Sequence, residues 1–408
     1  MPVSTHMTQA SQVALTFRTA EAADWPAIDL LGATGFGVWQ PEETSKVWRS
    51  LVPADGAVVA CDGDDVVGVS LFLDLALTVP GGAVLPMAGV SFVSVAPTHR
   101  RRGALSGMFD ELHRRMGGYP VAGLEASEAE IYGRFGYGPA TIWQQYSIDR
   151  TLARFHDQVP DPGGVRIVRA AEHRAEIEDV YQRWRLRTPG GLPTPPQLWD
   201  EVFADRDSAR GGGSALYCLL HADGFAMYRV RSGDSPKGTV AVTKFAAATA
   251  QAHIALWRVL LGLDLVATVE IETNPDDVLP YLLTNPRLVR KSGSQDGLWL
   301  RILDIPAVLQ ARTYAADVSA VLCISDAVLG GGGRYALQVR DGRARCVPTE
   351  AAADVHTGLS VLGSLYLGAH RASSFAAAHR LRCDDAALLT RLDAAFATDI
   401  PAELSYGF

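Results

Sequence analysis

The chain's 408 residues exceed what one ordinary core organises, and 48% hydrophobic with 20% charged residues exclude a disordered chain and supply material for two or three packed domains. A formal net charge of −8 makes any basic stretch a local feature, which speaks against a general polyanion-binding surface and so against nucleic acid as a partner. The five cysteines, Cys61, Cys218, Cys323, Cys346 and Cys383, are scattered without CxxC spacing or a histidine in ligand register, so neither a disulfide framework nor a metal site is expected. Residues 1–12, MPVSTHMTQASQ, lack the charged, apolar and cleavage regions of a secretory leader, and no run approaches the roughly 18 apolar residues of a membrane span. The expectation is a cytoplasmic protein.

Three punctuated blocks follow one another, 1–150, 151–302 and 303–408. In the first, VALTFRTA reads as a strand, AADWPAIDLLGATGF as a helix and TSKVWRSLV as a shorter helix. GAVVACDG and DVVGVSLFLDLALTVP are rich in β-branched residues and bounded by Gly, Asp and Pro, as strands are. A strand at 92–95 precedes a helix from Leu105, then VAGLEAS reads as a strand and EAEIYGRFGYG as a short helix with a glycine exit. The second block repeats the strand–helix–strand beat, with Leu256, Val259, Leu260 and Leu263 spaced for a buried helix face. The third mixes strands such as RYALQVRDGRARCVPT with the helical SVLGSLYLGAHRA and DAALLTRLDAAFATD, and GGGG at 330–333 reads as a loop tip. This alternation predicts an α/β fold with mixed α+β sheets.

The stretch VSFVSVAPTHRRRGALSGMFDELHRR, residues 90–115, concentrates positive charge at a strand-to-helix junction. From Leu105, residues Met108, Phe109, Leu112 and Met116 fall on one helix face, so Arg100, Arg101 and Arg102 sit just before a helix start. Unpaired N–H groups and the positive dipole end favour an anion there, while arginines alone would be unfavourable. Gly103 would let the backbone approach phosphate oxygens, giving a diphosphate cradle that is neither a Walker loop nor a G-x-G-x-x-G fingerprint. A solvated basic turn is the alternative. Arg114 and Arg115 read as surface residues at the far end of the helix.

Arg100-Arg101-Arg102-Gly103-Ala104-Leu105 resembles motif A of the GNAT N-acetyltransferases, with Leu105 where the motif has a small residue. The resemblance implies acetyl-CoA as cosubstrate, with no metal. The backbone of Val93, Ser94 and Val95 would hold the pantetheine, and Arg101, Arg102, Gly103, Ala104, Leu105 and Ser106 the diphosphate. It also implies a tyrosine acid on the helix after the fifth strand, at Tyr132, which would protonate the departing thiolate. Ser127 and Glu128 match cofactor-lining positions or, on their own terms, a helix cap. Together with THRRRG, LHRR, GYPVA, ASEAEIYGRFGYGPA, QDGLWLRI, VLGSLYLG and RLDAAFATDIP, the chain from about Trp25 to Phe408 resembles the Eis family of mycobacterial acetyltransferases.

That resemblance implies tandem GNAT-like domains, the second without a cofactor motif, followed by a sterol carrier protein-like domain whose C-terminus completes the active site. It further implies a homohexamer that acetylates amines of aminoglycosides and protein lysines, with the C-terminal carboxylate of Phe408 as base. No member of the cysteine set lies near motif A in sequence, which favours direct attack over a cysteine relay. The acceptor pocket departs from the family: Gly407 stands where an acidic residue is expected, and Gly37 and Val38 where another would be. Glu125 offers a replacement carboxylate or a second base, and Phe36, Trp39, Trp48 and Phe92 would wall the pocket. Aminoglycoside use is therefore in question, amine acetylation is not. A non-catalytic acyl-CoA or lipid binder is the competing reading.

Overall fold

The computed structural model describes residues 14–232, 237–328 and 330–408; the leader reading of residues 1–12 lies outside them. The chain folds as two compact units, Met1–Asp74 with Gly89–Gly118, and Leu75–Ala88 with Tyr119–Phe408.

The first unit contains β1 (Thr16–Thr19), α1 (Trp25–Phe36), α2 (Glu42–Ser50), β2 (Ala57–Asp62), most of β3 (Asp65–Thr78), the second half of β4 (Val84–Val95), and α3 (Ala104–Arg115). Pro26 opens α1 where a missing N–H costs nothing, and Gly37 closes it at φ 70°, a left-handed cap that a side chain resists. α2 starts at Glu42, before the expected Thr44, because Glu42 and Glu43 suit the positive helix end. β4 also extends further than the 92–95 expected: it begins at Val84 and runs through Pro86 and Gly89, residues that strand interiors disfavour. β1, β2 and β3 pair antiparallel in chain order. Ile28 and Leu31 of α1 pack on Val59, Cys61 and Val69. On α3, Met108, Phe109 and Leu112 are fully buried, as the periodicity required. Gly107 is a packing glycine: a Cβ there would lie 2.1 Å from the Phe17 ring.

In the second unit, β5 (Val121–Glu125), α4 (Ala129–Tyr132), β6 (Gly138–Pro139) and β7 (Ile142–Asp149) come first. The middle of the chain adds β8 (Arg166–Val168), α5 (Arg174–Arg185), α6 (Pro196–Ala204), β9 (Tyr217–His221), β10 (Gly224–Arg231), β11 (Gly238–Ala247), α7 (Ala250–Gly262), β12 (Val266–Thr273), α8 (Leu279–Leu282), β13 (Val289–Asp296) and β14 (Leu298–Ile302). Seven strands form one sheet in the order β13-β7-β12-β11-β10-β9-β8, with β11 and β12 parallel on either side of α7. Leu256, Leu260 and Trp257 of α7 fill its core. β14, distant in sequence, pairs antiparallel with both β5 and β6.

The last block holds α9 (Ile305–Ala311), β15 (Val318–Ser325), β16 (Gly333–Arg340), β17 (Arg343–Pro348), β18 (Val355–Gly358), α10 (Leu359–Tyr366), α11 (Ala372–Ala377), β19 (Leu381–Arg382) and α12 (Ala386–Phe396). Its five-stranded sheet runs β17-β16-β15-β18-β19. The β16–β17 hairpin turns on Asp341 and Gly342, both at positive φ, the Asp-Gly signature of a tight turn. No helix among the described residues is long and apolar enough to cross a membrane.

Arg301 of β14 is among the most deeply buried charged residues of this unit. It donates to the Phe135 carbonyl at 2.6 Å and pairs with Asp326 at 2.7 Å, the two side chains being 2% and 1% exposed. Burial pushes the Asp326 carboxyl up, but the Arg301 bond and charge and the amides of Val328 and Gly331 outweigh it and hold the group below its ordinary 3.8. Its stabilising contribution is therefore complete above that ordinary value and is lost as pH falls through the depressed one. Asp326→Asn leaves the guanidinium uncompensated and is expected to cost about 3 kcal/mol or more, read as a lowered Tm, whereas R301M/D326L together cost much less. Equal Tm losses in the two variants would show that the pair's charge is not what matters.

Candidate active site

The arginine loop lies in the first unit. After β4 the chain passes through a single 3-10 turn (Pro97–His99), Arg101 adopts φ 64° and Gly103 φ 84°, and α3 begins at Ala104. Left-handed residues on either side of Arg102 curl the backbone into the kind of concavity that receives anions. No side chain caps α3. The N–H groups of Ala104, Leu105 and Ser106 precede the first helical bond, from Gly107 to the Gly103 carbonyl at 3.0 Å, and so are available to a ligand. No atom outside the immediate chain lies within 4 Å of where a Gly103 Cβ would project, so its requirement is conformational.

The three arginines are not equivalent. Arg102 is half-buried and pairs with Asp62 at 2.7 Å, and His99 reaches the same carboxylate at 3.1 Å. The Arg102 bond holds the Asp62 carboxyl below its ordinary range, with His99 assisting. Asp62, 40 residues upstream, thus neutralises part of the cluster from within the chain, which the local sequence could not reveal. Arg100 and Arg101 are exposed. Further along α3, Arg114 is a surface residue as expected, but Arg115 is not: it is half-buried, bonded to Glu111 at 2.7 Å and to the Asp55 carbonyl at 2.8 Å. Cys61 precedes Asp62, closer to the loop than its sequence position suggests, yet its thiol belongs to the α1 core and burial raises its pKa.

Phe92 interrupts β4 at φ 52°, a conformation that a bulky residue adopts only when its surroundings impose it. Gly32 on α1 leaves the notch for its ring, where a Cβ would come within 2.1 Å, and Phe36 stands one turn along at 5.7 Å between centroids. Ser94, buried, donates its hydroxyl to the Leu31 carbonyl at 2.9 Å, so only its backbone remains to meet a ligand. Val93 and Val95 are half-buried. Trp39 follows Gly37 and is exposed, and Trp48 on α2 is half-buried. Gly37 carries no acid because that position closes α1 in the left-handed region.

A second group gathers in the second unit around the end of β5. Glu125 closes that strand, and its Oε2 accepts the Phe408 N–H at 3.2 Å across 283 residues. A Cβ on Gly407 would lie 2.6 Å from the same oxygen, so glycine at 407 is what admits the Glu125 carboxylate. Glu125 is exposed, yet the protein around it pushes its pKa up, the Phe408 amide working against that shift and Glu272 with it. Tyr132 ends α4 and is 5% exposed; burial raises its phenol pKa, only partly offset by a hydrogen bond with Ser127. Glu128 occupies the α4 cap position without a capping side-chain bond, and Ser127 spends its hydroxyl on Tyr132, so neither acts as an ordinary cap. Tyr137 is fully buried, its pKa driven still higher by burial.

The tail is docked rather than frayed. Glu403 N–H donates to the Pro189 carbonyl at 2.8 Å, the Leu192 N–H to Ser405 Oγ at 2.9 Å, and the Tyr406 hydroxyl to the Pro193 carbonyl at 3.0 Å. Sequence reading found Phe408 only through resemblance and missed this segment at 189–193; its TPGGLPTPP composition reads as mere loop. The parallel β11–α7–β12 unit repeats the β4–α3–β5 order, but there the Thr249 side chain accepts the Ala252 N–H at 3.2 Å and caps its own helix. Among the described residues, no group of His, Cys, Asp and Glu is arranged to hold a metal ion.

Residues 16–140 match a family model described as an acetyltransferase (GNAT) domain, 190–302 another of the same description, and 305–403 a sterol carrier protein domain. The chain is 54% identical over 398 residues to N-acetyltransferase Eis of Mycobacterium tuberculosis, covering 94% of this chain and 97% of that one. An uncharacterized N-acetyltransferase of Streptomyces avermitilis is 36% identical over 392 residues, 91% of this chain and 94% of its own. The crystal structure of Eis1 from Mycobacterium abscessus superposes with a TM-score of 0.85 at 30% identity, covering 97% of this chain and all of that one. A GCN5-related N-acetyltransferase from Anabaena variabilis, at 17% identity and TM-score 0.83, shares the fold. An N-acetyltransferase rather than a passive binder accounts for these matches, and the chain belongs to the Eis family, two GNAT domains followed by a sterol carrier protein-like domain.

Proposed function

We propose that this acetyltransferase moves the acetyl group of acetyl-CoA to primary amines by direct attack, with Phe408 supplying the base through its terminal carboxylate and Tyr132 the acid. The observation that carries the reading is the docked tail: Phe408 is held against Glu125 at the end of β5 instead of fraying into solvent. The amine loses a proton to the carboxylate, directly or through water, and its nitrogen bonds to the acetyl carbon. The carbon–sulfur bond breaks, and the Tyr132 hydroxyl protonates the sulfur. A phenol whose pKa is raised by burial keeps its proton across the neutral range, as an acid requires.

In this reading the backbone of Val93, Ser94 and Val95 binds the pantetheine, the amides at 104–106 with Gly103 cradle the diphosphate, and Arg101 supplies more of the charge than Arg102. Ser127 supports the cofactor side by orienting Tyr132, and Glu128 lines it. Phe36, Trp39, Trp48 and Phe92 wall the acceptor pocket, with Glu125 as its carboxylate in place of an acid at Gly407. The acceptor is a polyamine of the aminoglycoside kind or a protein lysine. The domains are assigned as 1–150, 151–302 and 303–408, the assembly as a homohexamer, and the compartment as the cytoplasm.

Thiol release from acetyl-CoA with an amine acceptor tests the roles. Tyr132→Phe is expected to lower kcat by about 100-fold or more with little change in the KM for acetyl-CoA; wild-type kcat in that variant would remove the acid role. Deletion of Phe408 is expected to cost at least about 100-fold, and Glu125→Gln, which still accepts the Phe408 N–H, less than about tenfold. The opposite ranking would make Glu125 the base.

A further inference from the structure

β11 carries a lysine on a face where the strand's alternation would not put it. Opposite β10, Met227 pairs with Lys244 and Tyr228 with Val242, so Thr243 is the extra residue of a bulge. Val240, Val242 and Phe245 consequently pack into the same core around Leu256 and Trp257, an odd spacing that only an inserted residue allows. Lys244 is turned to the other face, toward Tyr181 on α5 and Trp199 on α6. Its Nζ lies 4.8 Å from the Tyr181 ring centroid, 5.3 Å from that of Trp199 and 5.8 Å from that of Tyr406, and donates to the Ser405 carbonyl at 3.4 Å.

An ammonium so enclosed is a costly way to fill space that methionine could fill. What it gains is contact with two consecutive tail residues, Ser405 and Tyr406, just before the terminal Gly407 and Phe408. We propose that Lys244 is a positioning residue for acetyl transfer: by gripping Ser405 and Tyr406 inside an aromatic cage, it fixes where Phe408 presents its carboxylate. This rests on the reading of Phe408 as the base. The grip complements the neutral bonds from the tail to Pro189, Leu192 and Pro193, and none of those neutral bonds titrates near pH 8.

The titratable and charged groups facing Lys244 are Tyr181 and Arg185 on α5, and Glu403 and Tyr406 on the tail, with Asp277 and His253 behind Glu403. Burial lowers the lysine to about 8, with Glu403 opposing, and raises Glu403 to about 7. Tyr181 is pushed up to about 12 and Tyr406 further.

Hydrogen exchange of the Tyr406–Phe408 amides and steady-state kinetics, measured on the full chain, test the proposal. Lys244→Met is expected to speed exchange and lower kcat by about tenfold each, as loss of one hydrogen bond and one cation–π contact implies, with the KM for acetyl-CoA unchanged. Lys244→Arg restores most of both. Unchanged exchange in K244M overturns the grip, whatever Phe408 does. Faster exchange with wild-type kcat overturns the positioning role; deletion of Phe408, assayed alongside, then shows whether the base assignment has failed as well, since full turnover without Phe408 refutes that assignment independently.

Discussion

The buried guanidinium of Arg301 is the constraint on which the second unit's geometry depends. One side chain on β14 bonds the carbonyl that ends the turn after α4 and the carboxylate after β15. It therefore couples three segments that lie far apart in the chain. The turn it grips must carry glycine at 136, where φ is 80° and a Cβ would lie 2.1 Å from the guanidinium. α4, with Tyr132, enters that turn directly, and β14 itself pairs with β5, setting Leu298 opposite Glu125. Breaking such a buried charge pair leaves an uncompensated charge, so its geometry is rigid in a way that an apolar contact would not be.

The middle of the chain has a structural task that its fold alone would not suggest. Its β–α–β turn caps itself with Thr249, so the helix start that carries no side-chain cap in the first GNAT domain is already satisfied there. Instead, the segment at 189–193 and the face of β11 below α5 and α6 receive Glu403, Ser405 and Tyr406 of the tail. Gly190, at φ 92°, lets that segment approach the tail backbone, since a Cβ would come within 2.6 Å of the Glu403 carbonyl. A domain whose helix start is closed by its own side chain is free to act as a cradle.

Charge at the arginine loop is partly met within the protein. Asp62 engages Arg102, with His99 on the same carboxylate, before any anion arrives, so the loop's surplus positive charge is smaller than the run of arginines suggests. Pre-forming that pair orders the loop and leaves the exposed Arg101 and the α3 amides as the freer donors, which separates shape from charge at one turn.

The sequence by itself determined the elements and the local devices: the α3 face at Met108, Phe109 and Leu112, the Gly37 and Gly103 conformations, the Asp-Gly hairpin, and the order of the blocks. These follow from periodicity and backbone sterics within a few residues. It left β4 short, with only 92–95 of Val84–Val95 expected, and it could not foresee β14 beside β5, since strand pairing is decided by packing across hundreds of residues. Only the tertiary structure decided that Asp62 meets Arg102, that Gly407 makes room for Glu125, and that a bulge at Thr243 turns Lys244 toward the tail. Each of these depends on which surfaces are brought together and desolvated, and that is a property of the folded whole rather than of any window of the chain.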